Sequence, residues 1–535
     1  MTDRYDDDDP LTDRSPDGVL WSRVNTSEIL PGVLTPVSWS FYGRQTETSA
    51  RHGWADLGVI PRSATGYPHP VEDRFLGVFF GRCAANVNVL RVIMGGLPGV
   101  TGDDIERDVL GSVRDGVVDQ GYRWRLPAVL IRLPRLITLV GRRAERFRAE
   151  SFAWWARQVD ATGLRPGNEP RAALAGALDR FGVAIRLQAG TRLAYSGSTA
   201  AIARLADRAG RPELTGHLLC GRGASEETVI ADDLWALAQG GTDLASFLRH
   251  HGYCGPNVGE LSSRSWRENP APVESLLPTL KEAERPDERR RRAQDGRARA
   301  VAELLGALPR PHRRAAAATL RLTPSTGRAL ECNKAAMQLA LDVGRAAVRG
   351  IGADLVAAGR MDEPDHAFQL FADELLHPPR GDLRARLTRR LAARQRYQAL
   401  EIPETWEGQP TAGSAAPKRQ DAEVTRVAGM GVSGGRAEGP VRIVLDPDDA
   451  TEIEIGDILV CPTTDPSWVS LMTLAAALVI DIGGPASHGA IVAREIGIPC
   501  VIGTHTGTSD LHDGDRVRVD GSAGTVDILV SGRRQ

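Results

Sequence analysis

The chain has 535 residues, of which 42% are hydrophobic and 25% are charged, and its formal net charge is −2. This near-balance argues against nucleic acid as the main partner, because binding to a phosphate backbone normally requires a basic surplus. No apolar run is long enough to span a bilayer and no secretory signal pattern opens the sequence, so we expect a cytoplasmic protein without a membrane partner. The six cysteines show no CxxC or zinc spacing, which is typical of reduced thiols and predicts no metal site.

Helical periodicity dominates the longer, N-terminal part of the chain. Residues 1–19 are polar and acidic, and we predict a disordered tail there. Over 20–406 the sequence is rich in Ala, Leu and Arg, and within 335–359 apolar residues recur with the helical period. The arginine-rich segment 284–308 is also predicted to be helical, and its charges favour a solvated face over a nucleic-acid contact. These patterns predict a large, mostly helical domain.

The hydrophobic pattern of the sequence changes after a segment that is typical of an interdomain linker. Residues 407–423 contain Pro, Gly, Ser and Ala and lack large apolar side chains. Over 424–530, short apolar runs alternate with turns, as expected for strands, and only two stretches are helical. We therefore predict a multidomain α+β protein, in which a large mostly helical domain is followed by a small α/β domain.

The segment GGPASHGAIVAR at 483–494 is the strongest candidate for chemistry. A strand of buried character at 476–481 precedes it, the glycines permit a tight turn, and Ser487 is a predicted N-cap that places His488 in the first turn of a helix. Backbone N–H groups and the helix dipole favour an anion there, such as a phosphoryl group on the imidazole. Taken alone, the motif also fits a histidine that only hydrogen-bonds locally at a turn.

Neighbouring motifs favour the chemical interpretation. TTDPSW at 463–468, VIDIGGPASHGAIVAREIGIPCVIGT at 479–504 and GDRVRVDGSAGTV at 514–526 together resemble the phosphohistidine swivelling domain of the phosphoenolpyruvate-utilising enzymes. The resemblance implies that His488 carries phosphate between two active sites. Ala486 stands two places before the histidine, where relatives commonly have a residue with a hydroxyl group. The phosphate-binding positions predicted from the motif and its resemblance are Gly484, Ser487, Gly489 and Arg494.

The helical part resembles, in ordered blocks, the substrate-binding domain of the rifampin phosphotransferases. The blocks are 21–41, 86–111, 247–270, 331–348 and 361–375. The resemblance implies a substrate-binding domain over 20–406 that takes a hydroxyl of an apolar, natural-product-like small molecule. No barrel of the kind found in the pyruvate and phosphoenolpyruvate enzymes follows the swivelling domain, so phosphoenolpyruvate is not the expected substrate.

Lys334 and Glu331 are the candidate residues for phosphate transfer and substrate binding in the helical part. Their i,i+3 spacing also fits an ordinary surface ion pair. The resemblance implies that Lys334 holds the transferring phosphate, together with an arginine whose expected position is occupied by Leu330. Arg321 and Arg328 are possible replacements.

Loop 252–260 supplies two further candidates for substrate binding. Glu260 ends the loop and Arg264 follows it, although a structural turn between helices explains the same sequence equally well. His250 and His251 adjoin the loop and are candidates for acid–base chemistry, or for a helix end where a cation suits the dipole.

The ATP-grasp domain that charges the histidine in this family has no counterpart in the sequence. We therefore expect no cofactor bound by this chain alone, with ATP and Mg²⁺ acting through a separate ATP-grasp partner. Three hypotheses stay open. The chain is a phosphotransferase charged by that partner, a dehydratase, lyase or other acid–base enzyme in which phosphate is transient or absent, or a non-catalytic ligand-binding protein.

Overall fold

A computed structural model describes most of the chain. The described residues are 8–27, 29–95, 97, 101–103, 106, 110, 113–114, 121–219, 226–282, 285–380, 382–414, 425–445, 453–464, 468–484 and 487–532. The α-helices among them are α1 Pro36–Ser40, α2 Thr46–Leu57, α3 Val87–Met94, α4 Leu126–Gln158, α5 Pro170–Arg208, α6 Leu214–Leu219, α7 Glu226–Ala238, α8 Leu244–His251, α9 Ala271–Glu282, α10 Pro286–Ala307, α11 Arg310–Ala357, α12 Ala372–Leu376, α13 Arg384–Gln398, α14 Val469–Leu474, α15 His488–Ile496 and α16 Gly507–Asp510. The strands are β1 Leu20–Ser22, β2 Leu76–Phe79, β3 Arg82–Asn86, β4 Val159–Asp160, β5 Gly163–Leu164, β6 Leu400–Glu401, β7 Thr405–Glu407, β8 Gly413–Ser414, β9 Arg426–Ala428, β10 Met430–Ser433, β11 Arg436–Ile443, β12 Ile458–Cys461, β13 Ala477–Ile480, β14 Cys500–Ile502, β15 Arg516–Asp520 and β16 Thr525–Val530.

The chain divides into two compact units. The first comprises Met1–Ala194, Asn257–Arg264 and Ala329–Pro417, and the second comprises Tyr195–Pro256, Ser265–Arg328 and Lys418–Gln535. Helices of the predicted substrate-binding domain thus group with the C-terminal part of the chain. The division into a substrate-binding domain over 20–406 and a swivelling domain over 424–530 stays a prediction. The end of the predicted linker, from residue 415, lies outside the described residues.

A four-stranded antiparallel sheet organises part of the first unit. Its strand order is β2–β3–β1–β7, with Trp21 of β1 opposite both Asn86 and Trp406. The fully buried ring of Trp21 lies 4.9 Å from that of Phe79, which in turn lies 5.3 Å from that of Trp406. Large aromatic rings packed edge to face supply much of the apolar burial around this small sheet.

The described N-terminal residues are anchored to that sheet. Leu11 is buried, and the Asp13 carboxylate accepts a hydrogen bond of 2.9 Å from the backbone N–H of Val78. The indole N–H of Trp21 donates to Ser15 over 2.8 Å. The expectation of a disordered tail over residues 1–19 therefore does not hold for residues 8–19, because polar side chains there satisfy groups of the sheet. Residues 1–7 lie outside the described residues.

The second unit contains the α/β sheet that positions the candidate site. Its strand order is β10–β14–β13–β12–β11–β15–β16–β9, and the four strands from β11 to β14 are parallel to one another. Strands β12, β13 and β14 are buried along their whole length, as expected for parallel strands covered on both faces. Helix α14 connects β12 to β13 and α15 connects β13 to β14. The predicted α+β fold class, with a small α/β domain near the C-terminus, is confirmed.

Helices α7, α9 and α10 belong to the same unit and contact the crossover helices. Both α7 and α10 contact α15, while α7 and α9 contact α14. The guanidinium of Arg290 on α10 pairs with the Asp232 carboxylate of α7 over 2.8 Å, which holds these two helices together.

The described helices and cysteines can be compared with two general expectations from the sequence. No helix in the described part of the chain combines the length and apolar character needed to cross a membrane. The five described cysteines are free thiols and buried. Burial raises the pKa of the Cys500 thiol to about 12, so this group stays protonated at neutral pH.

Candidate functional site

Three loops meet where the parallel strands end, and we call this region the carboxyl edge. It comprises residues 462–464 after β12, 481–484 after β13 and 503–506 after β14. Backbone hydrogen bonds connect the loops: the N–H of Asp481 donates to Cys461 over 3.0 Å and that of His505 donates to Asp481 over 3.1 Å. The carboxyl ends of parallel strands are the usual place for a ligand in such sheets.

A glycine turn leads from β13 into the helix that begins with His488. Gly483 has a φ of +150°, a backbone conformation that favours glycine. Ser487 has extended backbone, and its hydroxyl oxygen accepts a hydrogen bond of 3.2 Å from the N–H of Ala490. The predicted N-cap at Ser487 is therefore confirmed, and His488 is the first residue of α15. Its imidazole lies outside the described part of the structure, as do Pro485 and Ala486.

This arrangement places the N-terminus of α15 at the carboxyl edge. The first amides of a helix have no intrahelical acceptor, and the dipole adds positive potential at that end. Gly484 belongs to the same turn, because its carbonyl accepts the backbone N–H of Ser487 over 3.0 Å. Gly484, Ser487 and the backbone of His488 thus belong to one turn, and their role in phosphate binding stays a prediction.

Close packing gives a structural reason for glycine at position 489, next to His488. A Cβ at this residue would lie 2.4 Å from Cδ1 of Ile480 and 2.8 Å from Oγ1 of Thr464. The absence of a side chain lets α15 lie close against β13. A predicted role for Gly489 in the approach of phosphate stays a prediction, beside this structural reason for glycine.

Arg494 lies near the other end of α15 from the glycine turn. It is six residues beyond His488, which corresponds to about 9 Å along a helix axis. Its guanidinium is buried, and Nε donates to the carbonyl of Val432 over 2.7 Å. This hydrogen bond attaches α15 to β10, and a role for Arg494 in phosphate binding stays a prediction.

Two side chains at the carboxyl edge were not predicted from the sequence. Thr463 is 8% exposed, and its hydroxyl has no hydrogen-bond partner among the described residues. His505 is exposed and has a φ of +59°, which is unusual for a residue other than glycine. Thr463 begins the TTDPSW motif, which could have marked it as a candidate, whereas the backbone angle of His505 leaves no recognisable signal in a single sequence.

Lys334 and Glu331 form the ion pair that their spacing suggests. The Nζ of Lys334 lies 3.5 Å from Oε2 of Glu331, whose side chain is 9% exposed. Leu330 is buried in the core, so no cation occupies the position where the resemblance implies an arginine. Arg321 and Arg328 are both exposed. Lys334 belongs to the first unit and His488 to the second.

The carboxylate of Glu260 is occupied by groups of the protein. It accepts hydrogen bonds from the N–H and hydroxyl of Thr35, from the hydroxyl of Ser38, and from the N–H and hydroxyl of Ser262, at 2.7–2.9 Å. These donors anchor loop 257–264 to the start of α1. A role in substrate binding stays a prediction for Glu260, whose observed contacts are those of a structural anchor.

Loop 257–264 contacts a part of α11 that is well separated from the Lys334 pair on the same helix. Arg345 donates to the carbonyl of Val258 over 2.5 Å, and it follows Lys334 by 11 residues, or about 17 Å along the helix. The structure therefore does not place Glu260 beside Lys334 along this helix. Arg264 is exposed.

The two adjacent histidines of α8 have local partners. The Nε2 of His251 lies 2.6 Å from the Asp233 carboxylate of α7, and the Nδ1 of His250 lies 2.9 Å from the carbonyl of Ser246. These contacts fit histidines at a helix end. Among the described residues, no group of three or more His, Cys, Asp or Glu side chains could hold a metal ion.

Comparison with known families matches two segments of the chain. Residues 453–524 match the family described as PEP-utilising enzyme, mobile domain. The predicted family resemblance is confirmed. Residues 171–330 match the family described as rifampicin phosphotransferase fourth domain. The mobile-domain segment contains the glycine turn, Ser487 and His488, and the fourth-domain segment contains helices α6 to α10.

Individual relatives extend the same similarity. A rifampicin phosphotransferase of Streptomyces sp is 36% identical over 49% of this chain and 31% of its own length. A rifampicin phosphotransferase of Streptomyces sviceus is 39% identical over 33% of this chain and 20% of its own. An uncharacterised protein of Mycobacterium tuberculosis is 36% identical over 43% and 27%, respectively. The chain thus spans less than a third of the length of these relatives.

Among solved structures, the similarity is too low to support an inference about the fold. A chain of Thermococcus kodakaraensis aconitase X aligns over 19% of this chain and 98% of its own length at 26% identity, with a TM-score of 0.17.

Proposed function

We propose that the chain is a phosphohistidine-dependent phosphotransferase that acts on a hydroxyl group of an apolar small molecule. The observation that carries the proposal is the glycine turn and serine-capped helix that begins with His488, within the segment that matches the mobile domain. Relatives named rifampicin phosphotransferase support phosphate transfer as the activity and a hydroxylated natural product as the class of substrate.

In the proposed reaction His488 is phosphorylated first and then passes the phosphoryl group on. A separate ATP-grasp protein with ATP and Mg²⁺ is the proposed donor for the first step. In the second step the substrate hydroxyl attacks phosphorus, the bond to the imidazole nitrogen breaks, and Lys334 stabilises the charge on the transferring group. Glu331 is the proposed acceptor for a hydrogen bond from that hydroxyl.

Chemical phosphorylation tests the carrier role of His488 without knowledge of the partner. The wild-type chain is incubated with potassium phosphoramidate, and the modified residue is located by mass spectrometry under non-acidic conditions. We expect an acid-labile phosphoryl group on His488 that is absent in His488→Ala and retained in His512→Ala, a second histidine of the same sheet domain. A wild-type chain that is never modified at His488 would refute the proposal.

The transfer step has its own control. After charging, Lys334→Ala is expected to keep the phosphoryl group on His488 but to lose its transfer to a rifamycin acceptor, whereas Lys281→Ala retains both. Lys281 is an exposed lysine on α9 and so serves as the matched variant. Equal transfer by the two variants would exclude the role proposed for Lys334.

Burial of Leu330 favours a second candidate function. The phosphate site implied by the resemblance would contain a lysine and an arginine, but a core leucine stands at the arginine position. With less positive charge available, His488 can instead serve acid–base chemistry on the bound molecule, such as dehydration. Turnover that needs His488 but persists in nucleotide-free protein without any phosphoryl donor would establish this alternative.

A further inference from the structure

The loop after β14 lies directly against the turn that leads to His488. A Cβ on Gly503 would lie 3.4 Å from the carbonyl oxygen of Gly483, and the N–H of His505 donates to the carbonyl of Asp481. The carboxylate of Asp481 accepts the hydroxyl of Thr504 over 2.7 Å, so side chains also fix this arrangement. His505 therefore belongs to the carboxyl edge at which α15 begins.

The backbone of His505 adopts a conformation that is uncommon for residues other than glycine. Its φ of +59° lies in the left-handed region, where a side chain crowds the following carbonyl and glycine is the preferred residue. The residue is exposed, so burial of its ring does not compensate for this conformation. Strain of this kind clusters at functional sites, where a side chain is kept for what it contacts.

A separate observation indicates that the carboxyl edge takes a polar ligand. The buried hydroxyl of Thr463 has no partner among the described residues, and a polar group left without a partner is costly. The next residue, Thr464, places its hydroxyl oxygen 2.8 Å from the Cβ position of Gly489 in the first turn of α15. Thr463 thus lies one residue from a direct contact with that turn.

We propose that His505 is a second phosphoryl-binding histidine, whose imidazole N–H donates a hydrogen bond to the phosphoryl group on His488. The inference rests on the proposed function. When phosphoramidate charges the protein, its P–N bond breaks, ammonia leaves and a new P–N bond forms on His488. His505 makes or breaks no covalent bond in this step. It stabilises the phosphoryl oxygens, and Ala486 supplies no hydroxyl for that purpose.

Three substitutions separate the imidazole from the strain. His505→Gly removes both, His505→Ala removes the imidazole and keeps the strain, and His505→Asn tolerates the left-handed conformation and keeps an N–H donor. His512→Ala is the matched control. Each chain is charged with phosphoramidate, the fraction phosphorylated at His488 is measured, and thermal unfolding is recorded. The imidazole ¹⁵N shifts of His505 are compared before and after charging of the wild type.

Loss of a hydrogen bond to a charged group predicts about a tenfold lower charging equilibrium in His505→Gly and His505→Ala alike, with partial rescue in His505→Asn. His505→Gly should also melt higher than the wild type, since its strain is relieved, and the wild-type ¹⁵N shifts should change on charging. The role of His505 is refuted if His505→Gly is phosphorylated at His488 to the same extent as the wild type, or if the wild-type ¹⁵N shifts do not change on phosphorylation. The carrier role of His488 stands in both cases. If the wild type is never charged, both fail.

Discussion

The close packing of Gly489 against β13 predicts how its replacement by alanine will act. The new Cβ would lie 2.4 Å from Cδ1 of Ile480, about 1 Å inside the ordinary contact limit of 3.4 Å. Overpacking of this size in a buried site costs about 1–3 kcal/mol. Gly306 offers the matched variant, because it is also helical but a Cβ there meets no atom within 4 Å. Gly306→Ala should gain helix propensity of about 1 kcal/mol or less.

The expected result is that Gly489→Ala is less stable than Gly306→Ala by about 1–3 kcal/mol. The assay is urea denaturation, combined with hydrogen exchange of peptides that cover 477–502. Ile480→Val removes the clashing Cδ1, so the double variant with Gly489→Ala should be more stable than the sum of the single effects predicts. Equal stability of the two alanine variants, or strict additivity in the double variant, would refute the packing argument. A displaced α15 should also charge more slowly at His488, because small misplacements of a reacting group are costly.

Three further substitutions test contacts away from the glycine turn. Arg494→Leu should lower the free energy of unfolding by about 1.5–3 kcal/mol, because a buried hydrogen bond from a charged group is lost. The control Arg518→Leu, at an exposed position, should change it by less than about 0.5 kcal/mol. Similar values for the two variants in urea denaturation would contradict a structural role for the buried Arg494. Glu260→Ala removes the acceptor of five hydrogen bonds and should lower the melting temperature well below that of the exposed control Glu401→Ala. Hydrogen bonds from backbone amides and an arginine lower the pKa of Asp520 below 3.8, so the stability it contributes is present above that pH and is lost as the pH falls through the folded-state pKa. Asp520→Asn should therefore melt below the wild type at neutral pH, and this difference should shrink in acid; a difference independent of pH would exclude that origin.

Features that depend on a few neighbouring residues were predictable. The cap at Ser487, the strand before the glycine turn and the helix after it follow from local backbone preferences, and the structure contains all three. The α/β character of the C-terminal part follows from short apolar runs between turns. In each case the signal lies within one turn or strand, so neighbouring residues determine it.

Features that depend on partners distant in the sequence were not predictable. The role of Arg494 at the phosphate stays a prediction, and nothing in the sequence indicated that its guanidinium donates to a carbonyl 62 positions away. The role of Glu260 at the substrate also stays a prediction, and its hydrogen bonds to residues about 225 positions earlier were not foreseen. A charged side chain looks the same in the sequence whether it faces a ligand or a backbone group of another element.

The sequence by itself determined the family resemblance, the α+β class and the position of His488 at a helix start, since these rest on ordered motifs and short-range backbone preferences. Only the tertiary structure decided which side chains share the carboxyl edge with that histidine. The parallel order of β12, β13 and β14 brings the loops that contain Thr463 and His505 to the same edge as the glycine turn, and the fold also places the Arg494 guanidinium against a carbonyl of β10. Strand order arises from non-local pairing, and a single sequence does not specify which distant segments pair.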